Sequence, residues 1–248
     1  NKEMRWTQKL SETIKHGIRS WLNVIPASSY AIQINETMDF EMAAIRNKIW
    51  YSADANKIEQ MCQQMPEYAD KYKFWSSRST PGMEMRKIHT GLPALIVRTL
   101  NSIIVSGMED FEFPNTKQEQ LWKEVEKDNK FRKKFKKSLK ETLVVGDGAY
   151  KISVDTELSQ YPILEWYSGE RIEIILNRGR LKEIVFKKAY MRGSQQYVLN
   201  EHYGYGYIIP QLYKGETEVP LTALEETANM QPVTFDKSVI LAVPLQIY

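Results

Sequence analysis

The stretch KFRKKFKKSLK, residues 130–140 of this 248-residue chain, concentrates charge that could bind a polyanion. It carries seven positive side chains and no negative one: Lys130, Arg132, Lys133, Lys134, Lys136, Lys137 and Lys140. Each of them can neutralise one phosphate, which gives salt-sensitive affinity for nucleic acid without sequence preference. A solvated helix face, or a face against an acidic neighbouring subunit, produces the same pattern. The stretch is therefore a candidate contact for DNA or for another subunit, and both interpretations stay open.

An apolar side runs through the same stretch. Phe131, Phe135, Leu139 and Leu143 recur at four-residue steps, which predicts a helix that packs on the protein with this side. The two phenylalanines are then in the core and are not free to stack on bases. The following Gly146-Asp147-Gly148 lies after a helix and before a strand, the reverse of a phosphate-binding P-loop. We therefore expect Gly146 to end the helix rather than to bind a ligand.

Other reactive residue types form no recognisable catalytic or metal-binding motif. No histidine has the spacing of a metal ligand: His16, His89 and His202 lie far apart. Cys62 is the only cysteine, so one chain can form no disulfide, and its IEQMCQQM context predicts a small buried residue. Asp147 and Asp155 flank a predicted strand, and a carboxylate pair there is the basis of an enzyme hypothesis. We expect no catalytic, cofactor or metal site and no enzymatic activity.

Composition and charge restrict the class of protein. There are 34 basic and 31 acidic residues, a net charge of +3, so any nucleic-acid contact must be local rather than spread over the surface. The most apolar run, Leu92–Val105, is interrupted by Arg98 and Asn101 and is shorter than a membrane span. The N-terminus has no signal-peptide pattern. The chain begins at Asn1 rather than Met, which suggests a trimmed product, and we expect a soluble intracellular protein without a membrane partner.

Helical periodicity dominates residues 1–145. It predicts an amphipathic helix over 4–22, an extended link over 27–34 and a helix over 37–51. Asp54 is a candidate N-cap for a third helix, and Pro93 suits the first turn of a fourth. That fourth helix is predicted to bury five side chains: Leu92, Leu95, Ile96, Leu100 and Ile103. The following IIVSGMEDFEF resembles a strand. A helix from Thr116, with Leu121, Trp122 and Val125 on its apolar stripe, is predicted to break at 127–129.

Alternation of apolar and polar residues dominates residues 146–248. It begins with Tyr150 and Ile152 and continues through segments separated by glycine-containing turns, among them the hairpin turn Asn177–Arg180. A short helix is predicted over 221–229. The sequence therefore predicts an α+β fold, in which a helix-rich part, 1–145, packs with an antiparallel β-meander, 146–248.

Four blocks of the sequence, taken in order, resemble one known family. They are NKIWYSADANKIEQM (Asn47–Met61), TPGMEMRKIHTGLPALIVRTLNSIIV (Thr80–Val105), VVGDGAYKISVD (Val144–Asp155) and GRLKEIVFKKAY (Gly179–Tyr190). These blocks are similar to the front half of portal proteins of long-tailed phages and prophages of Gram-positive hosts. The resemblance covers the chain from about Phe40 onward.

The resemblance implies a structural role. Portal proteins form rings, typically of twelve subunits, at one capsid vertex, and double-stranded DNA passes through the ring during packaging and ejection. They contact capsid protein, the packaging terminase and head-completion proteins, and they connect head to tail. They are not enzymes. The implied location is the virion, with assembly in the host cytoplasm.

The resemblance implies only part of a portal. The sequence stops at Tyr248, where the stem, channel helix and crown of a portal would follow, so it corresponds to the outer wing. No DNA-binding residues carry over from the family. The alternative function is a nucleic-acid-binding module that uses the basic helix Lys130–Lys140, and an enzyme with assembled carboxylates is the third hypothesis.

Overall fold

The computed structural model of the protein describes residues 40–78, 82 and 86–247. The chain divides into two compact units, residues 1–38 and 39–248, and all described residues belong to the second. The predicted helix over 4–22, the extended link over 27–34 and His16 lie outside the described residues.

Seven α-helices occupy the described part of the chain before residue 146. They are α1 (Phe40–Ser52), α2 (Ala55–Gln64), α3 (Pro66–Lys71), α4 (Lys73–Ser76), α5 (Leu92–Ser106), α6 (Thr116–Asn129) and α7 (Phe131–Val145). The Asp54 side chain caps α2 by accepting hydrogen bonds from the backbone N–H of Asn56 and Lys57, as predicted. Cys62 is buried on α2, which confirms its assignment to the core.

The orientation of α5 contradicts the prediction. All five side chains expected to be buried are exposed, and Asn101 is the residue that α5 buries. The helix continues to Ser106 and residues 108–113 form no strand, so the strand-like interpretation of IIVSGMEDFEF was wrong. Leu121 of α6 is also exposed, whereas Val125 is buried. Apolar periodicity identified the helices correctly but not the faces that the protein covers.

The junction of α6 and α7 lies where the sequence predicts a break. Lys130 ends α6 in a left-handed conformation, at φ 50° and ψ 46°, and α7 begins at the next residue. Gly146 ends α7 at φ 110°, a conformation that favours glycine, and the first strand starts immediately afterwards. Gly148 is required for a different reason than Gly146: a Cβ at position 148 would lie 2.0 Å from the Trp166 ring.

Nine strands form two antiparallel sheets among the described residues. The strands are β1 (Asp147–Ser153), β2 (Ile163–Ser168), β3 (Ile172–Asn177), β4 (Arg180–Arg192), β5 (Gln195–Gly204), β6 (Tyr207–Lys214), β7 (Thr217–Val219), β8 (Val233–Thr234) and β9 (Ala242–Gln246). A three-stranded sheet has the order β2-β1-β9, and a six-stranded sheet has the order β3-β4-β5-β6-β7, with β8 pairing β6. The α+β class with an antiparallel meander is thus confirmed.

The predicted hairpin turn at 177–180 is confirmed, whereas the predicted short helix over 221–229 is wrong. Arg178 and Gly179 both have positive φ, 50° and 74°, in the predicted hairpin turn between β3 and β4. Over 221–229 the chain forms a 3-10 turn, Leu221–Ala223, followed by further turns, instead of the predicted short helix.

The core consists of connected clusters. One joins the two sheets: Phe186, Ile184 and Tyr203 of the larger sheet pack with Ala149 and Ala242 of the smaller one. A second joins helices to the smaller sheet, through residues of α6, α7, β1 and β2: Val125, Phe131, Tyr150 and Leu164. The smaller sheet therefore lies between α7 and the larger sheet, and it holds α7 in a fixed orientation.

Candidate interaction surfaces

The apolar side of α7 is buried as predicted, and this fixes the direction of its lysines. Phe131 and Leu139 are buried, and the Phe131 ring lies 5.3 Å from Trp122 and 6.1 Å from Tyr150. The Ser138 hydroxyl and the Tyr150 hydroxyl share a 2.6 Å hydrogen bond. Because Phe131 is enclosed by other rings, it cannot stack on a nucleic-acid base.

Two of the seven predicted contact residues hold the fold together. Arg132 forms ion pairs with Asp110 and with Glu126, the latter at 3.0 Å. The Lys134 ammonium donates to the backbone carbonyl of Leu164 at 2.8 Å, on the open edge of β2. The charge of Arg132 is thus neutralised by two carboxylates, and the Lys134 ammonium binds a carbonyl on the open edge of β2. The sequence had predicted that both could bind a phosphate, but neither is free to do so.

The other five basic residues form a single row, which we call the lysine face: Lys130, Lys133, Lys136, Lys137 and Lys140. None of them forms an ion pair or side-chain hydrogen bond with any other described residue. At about 100° per residue, the four that lie within α7 fall in an arc of about 100°, opposite the buried side of the helix. Lys130 extends the row at its N-terminal end. The structure therefore brings five of the seven predicted residues together on one surface, on which four are exposed and Lys140 is half-buried.

A shallow groove of about 220 Å³ adjoins the C-terminal end of the lysine face. Lys137 and Lys140 line it together with Tyr51 and Lys48 of α1. The Lys48 ammonium is bound to Glu170 at 2.6 Å, and Glu141 beside the groove accepts the Trp166 indole N–H at 2.8 Å. Lys48 of α1 is therefore already paired, and Glu141 of α7 is held by a hydrogen bond and leaves one negative charge beside the groove.

A second surface, not identified from the sequence, lies on α5. Six large side chains there are 43–61 % exposed, and we call them the aliphatic face: Leu92, Leu95, Ile96, Leu100, Ile103 and Ile104. The side of the helix that packs on the protein carries smaller or polar residues, Ala94, Val97 and Asn101. Helix α5 is thus amphipathic, but its large apolar side faces outward and its smaller or polar side faces the protein. Contiguous exposed apolar surface of this kind marks protein–protein contacts.

Among the described residues, the acidic and histidine candidates do not assemble into a site. Asp147 is the first residue of β1 and Asp155 lies two residues beyond its last, so the length of the strand, about 20 Å at about 3.3 Å per residue, separates them. The Asp147 carboxylate accepts from the Gln246 amide at 3.2 Å, whereas Asp155 accepts from the backbone N–H of Glu157. His89 lies beside the rings of Trp50 and Trp75. Within the described residues, no three metal-binding side chains come together.

Buried charges between the sheets are paired. The Lys151 ammonium on β1 lies 3.1 Å from Glu201 on β5 and 3.2 Å from Glu165 on β2. Burial opposes the charge on Lys151 most strongly, but the combined attraction of Glu201, Glu165 and the neighbouring tyrosines outweighs it, so the pKa of Lys151 is raised. Burial also raises the pKa of Tyr203, beside the same pair. Lys151, Glu165 and Glu201 thus form a charged connection between strands of the two sheets.

Glu183 forms another internal cluster on the larger sheet. Its carboxylate accepts from the Tyr207 hydroxyl at 2.7 Å and lies 3.7 Å from Nδ1 of His202. Burial, with the hydrogen bond to Glu183, raises the pKa of Tyr207 to about 12. Tyr207 therefore keeps its proton to a higher pH than an ordinary tyrosine does, and His202 belongs to no group of three possible metal ligands among the described residues.

Comparison with known proteins gives no family assignment. No protein-family model matches the sequence, and no curated protein matches it significantly. None of the described helices is both long and apolar enough to cross a bilayer. The two surfaces defined above therefore carry the functional argument.

Proposed function

We propose that this chain is a structural subunit of a phage portal ring, corresponding to its wing. The ring would form the capsid-vertex channel for double-stranded DNA and connect head to tail. Capsid protein, the packaging terminase and head-completion proteins would be its partners. The proposal joins the resemblance of four sequence blocks to the portal family with the surface of the fold.

The aliphatic face of α5 is the observation that carries the proposal. It lies within Thr80–Val105, one of the four blocks that resemble portal proteins. Aliphatic side chains are typical of the buried centre of a permanent protein interface, where charged residues are depleted. Arg98 is the single ionisable residue of Leu92–Ser106. Such a face fits a protein that functions by assembling with copies of itself.

Electron microscopy tests the proposal on the protein translated from the whole reading frame. We expect ring-shaped particles with a central channel. The double variant Ile96→Glu/Ile103→Glu places two charges at the centre of the aliphatic face, where burial of an unpaired carboxylate is strongly unfavourable. We expect this variant to stay folded and to lose the rings.

Arg98→Glu is the matched control, because it also lowers the net charge by two units. Arg98 is exposed on α5, and about 100° per residue places it well away from the centre of the aliphatic face. Rings should persist in this variant. If the unmodified full-length protein forms no rings under any solution condition, the portal proposal is wrong.

A further inference from the structure

We infer that the lysine face of α7 binds the phosphate backbone of duplex nucleic acid without reading its sequence. This binding would be an activity in addition to ring formation, and it does not rest on the portal proposal. The inference uses the five lysines of the face and excludes Arg132 and Lys134, which the fold already engages.

The spacing of the lysine face suits a dense row of phosphates. From Lys130 to Lys140 the helix rises about 15 Å at 1.5 Å per residue. Over that length a duplex presents about nine phosphate charges at one per 1.7 Å of its axis. Five unpaired ammonium groups can therefore each approach a separate phosphate. Their long flexible side chains tolerate the mismatch between a straight helix and a winding groove.

The composition of the face favours nucleic acid over an acidic protein. Protein interfaces are depleted in lysine, and their binding energy is concentrated in aromatic, aliphatic and arginine anchors. The row of lysines itself contains none of these, since Phe131 and Leu139 lie on the opposite, packed side of α7. Tyr51 and Val144 enter only at the groove beside the C-terminal end of the face. The aliphatic face of α5 has the composition expected of a protein interface. The two surfaces thus fit different classes of partner.

The same composition favours phosphate contacts over base recognition. Bases are read in the grooves mainly by bidentate arginine or lysine on guanine and by asparagine or glutamine on adenine, or by stacking on exposed aromatic rings. Phe131 is buried and the guanidinium of Arg132 is held by Asp110 and Glu126. Lysine ammonium groups on phosphates contribute affinity but no sequence information.

Fluorescence anisotropy with short labelled duplexes of mixed sequence tests the inference across a salt series. With five phosphate contacts, the slope of log K against log salt should approach about −4.5, at about −0.9 per contact. Affinity should then fall about 500-fold between 50 and 200 mM salt. Duplexes of different sequence should bind equally.

The triple variant Lys133→Ala/Lys137→Ala/Lys140→Ala should reduce the slope to about −1.8, because two contacts remain. The matched control Lys117→Ala/Lys182→Ala/Lys237→Ala removes three exposed lysines elsewhere and lowers the net charge equally. It should keep the slope of the unmodified protein. Arg132→Ala should also leave the slope unchanged, since its charge is already paired.

Three results would overturn the inference: equal loss of duplex affinity in both triple variants, a strong preference for one duplex sequence, and binding of poly-L-glutamate at least as tight as duplex binding. The last would assign the lysine face to an acidic protein surface. Particle images of the same samples report ring formation separately, so loss of DNA binding and loss of assembly are distinguished.

Discussion

Ionisable side chains inside this fold are held in pairs that connect separate strands. Lys151 and Glu201 are each less than a tenth exposed, and their charged groups lie 3.1 Å apart. Tyr207 and Glu183 form a second pair at 2.7 Å. A buried charge without a partner is costly, and pairing makes it tolerable. At the residue scale, the same rule separates the charged side chains that stabilise the fold from the exposed unpaired ones, which include the lysine face.

Tyr207 predicts a loss of stability at alkaline pH. Its pKa rises from an ordinary 10.0 to about 12 in the folded protein. The folded state therefore holds the proton more tightly, so this stabilisation is complete below about pH 10 and is lost as the pH rises to about 12. Between these values the free energy of unfolding should fall more steeply in the unmodified protein than in Tyr207→Phe. Urea denaturation followed by tryptophan fluorescence measures both slopes, and equal slopes would contradict the prediction.

At the scale of elements, Asn129 organises the junction between α6 and α7. Its amide donates to the carbonyls of Val125 at 3.0 Å and Pro162 at 2.8 Å. Its side-chain oxygen accepts from the Leu164 N–H at 2.8 Å. The side chain thus substitutes for a neighbouring strand at the open edge of β2. It fixes the position of α7, and with it the direction of the lysine face.

Asn129→Ala should destabilise the protein by about 2–4 kcal/mol, because four hydrogen bonds are lost, one of them donated by the Lys134 ammonium at 3.3 Å, and buried backbone groups stay unpaired. Asn115→Ala is the matched control: Asn115 caps α6 through one exposed hydrogen bond, and its loss should cost about 1 kcal/mol. Equilibrium urea denaturation measures both. Equal costs would mean that Asn129 does not hold the strand edge.

The elements themselves were largely predictable from local signals. The cap at Asp54, the glycine at 146 and the turn at Arg178 and Gly179 depend on backbone geometry within a few residues, and all three were confirmed. The segment IIVSGMEDFEF was misassigned because a short apolar run fits a helix or a strand equally well. In the structure, the first four residues of this segment are the last turn of α5, which ends at Ser106.

At the scale of the molecule, Lys151 connects the smaller sheet to the larger one. Its removal should leave Glu201 buried without a partner. Lys151→Met should therefore lower the free energy of unfolding by about 3–5 kcal/mol, and Lys151→Met/Glu201→Leu should recover most of this loss. Lys187→Met is the control, since its 3.0 Å pair with Glu173 is exposed and should contribute less than about 1 kcal/mol. Thermal and urea denaturation give these differences, and an unrecovered double variant would contradict the explanation.

The sequence by itself determined the fold class, most helices and strands, and the side of α7 that faces the core. These follow from periodicity, caps and turn residues, which act over a few neighbouring positions. Tertiary structure alone decided which faces are covered. The apolar stripe of α5 is exposed because the protein packs against its smaller residues, and Arg132 and Lys134 are engaged because Asp110, Glu126 and the edge of β2 lie beside them. The contacts of Arg132 with Asp110 and of Lys134 with Leu164 join residues 22 and 30 positions apart, and local sequence patterns carry no information about them.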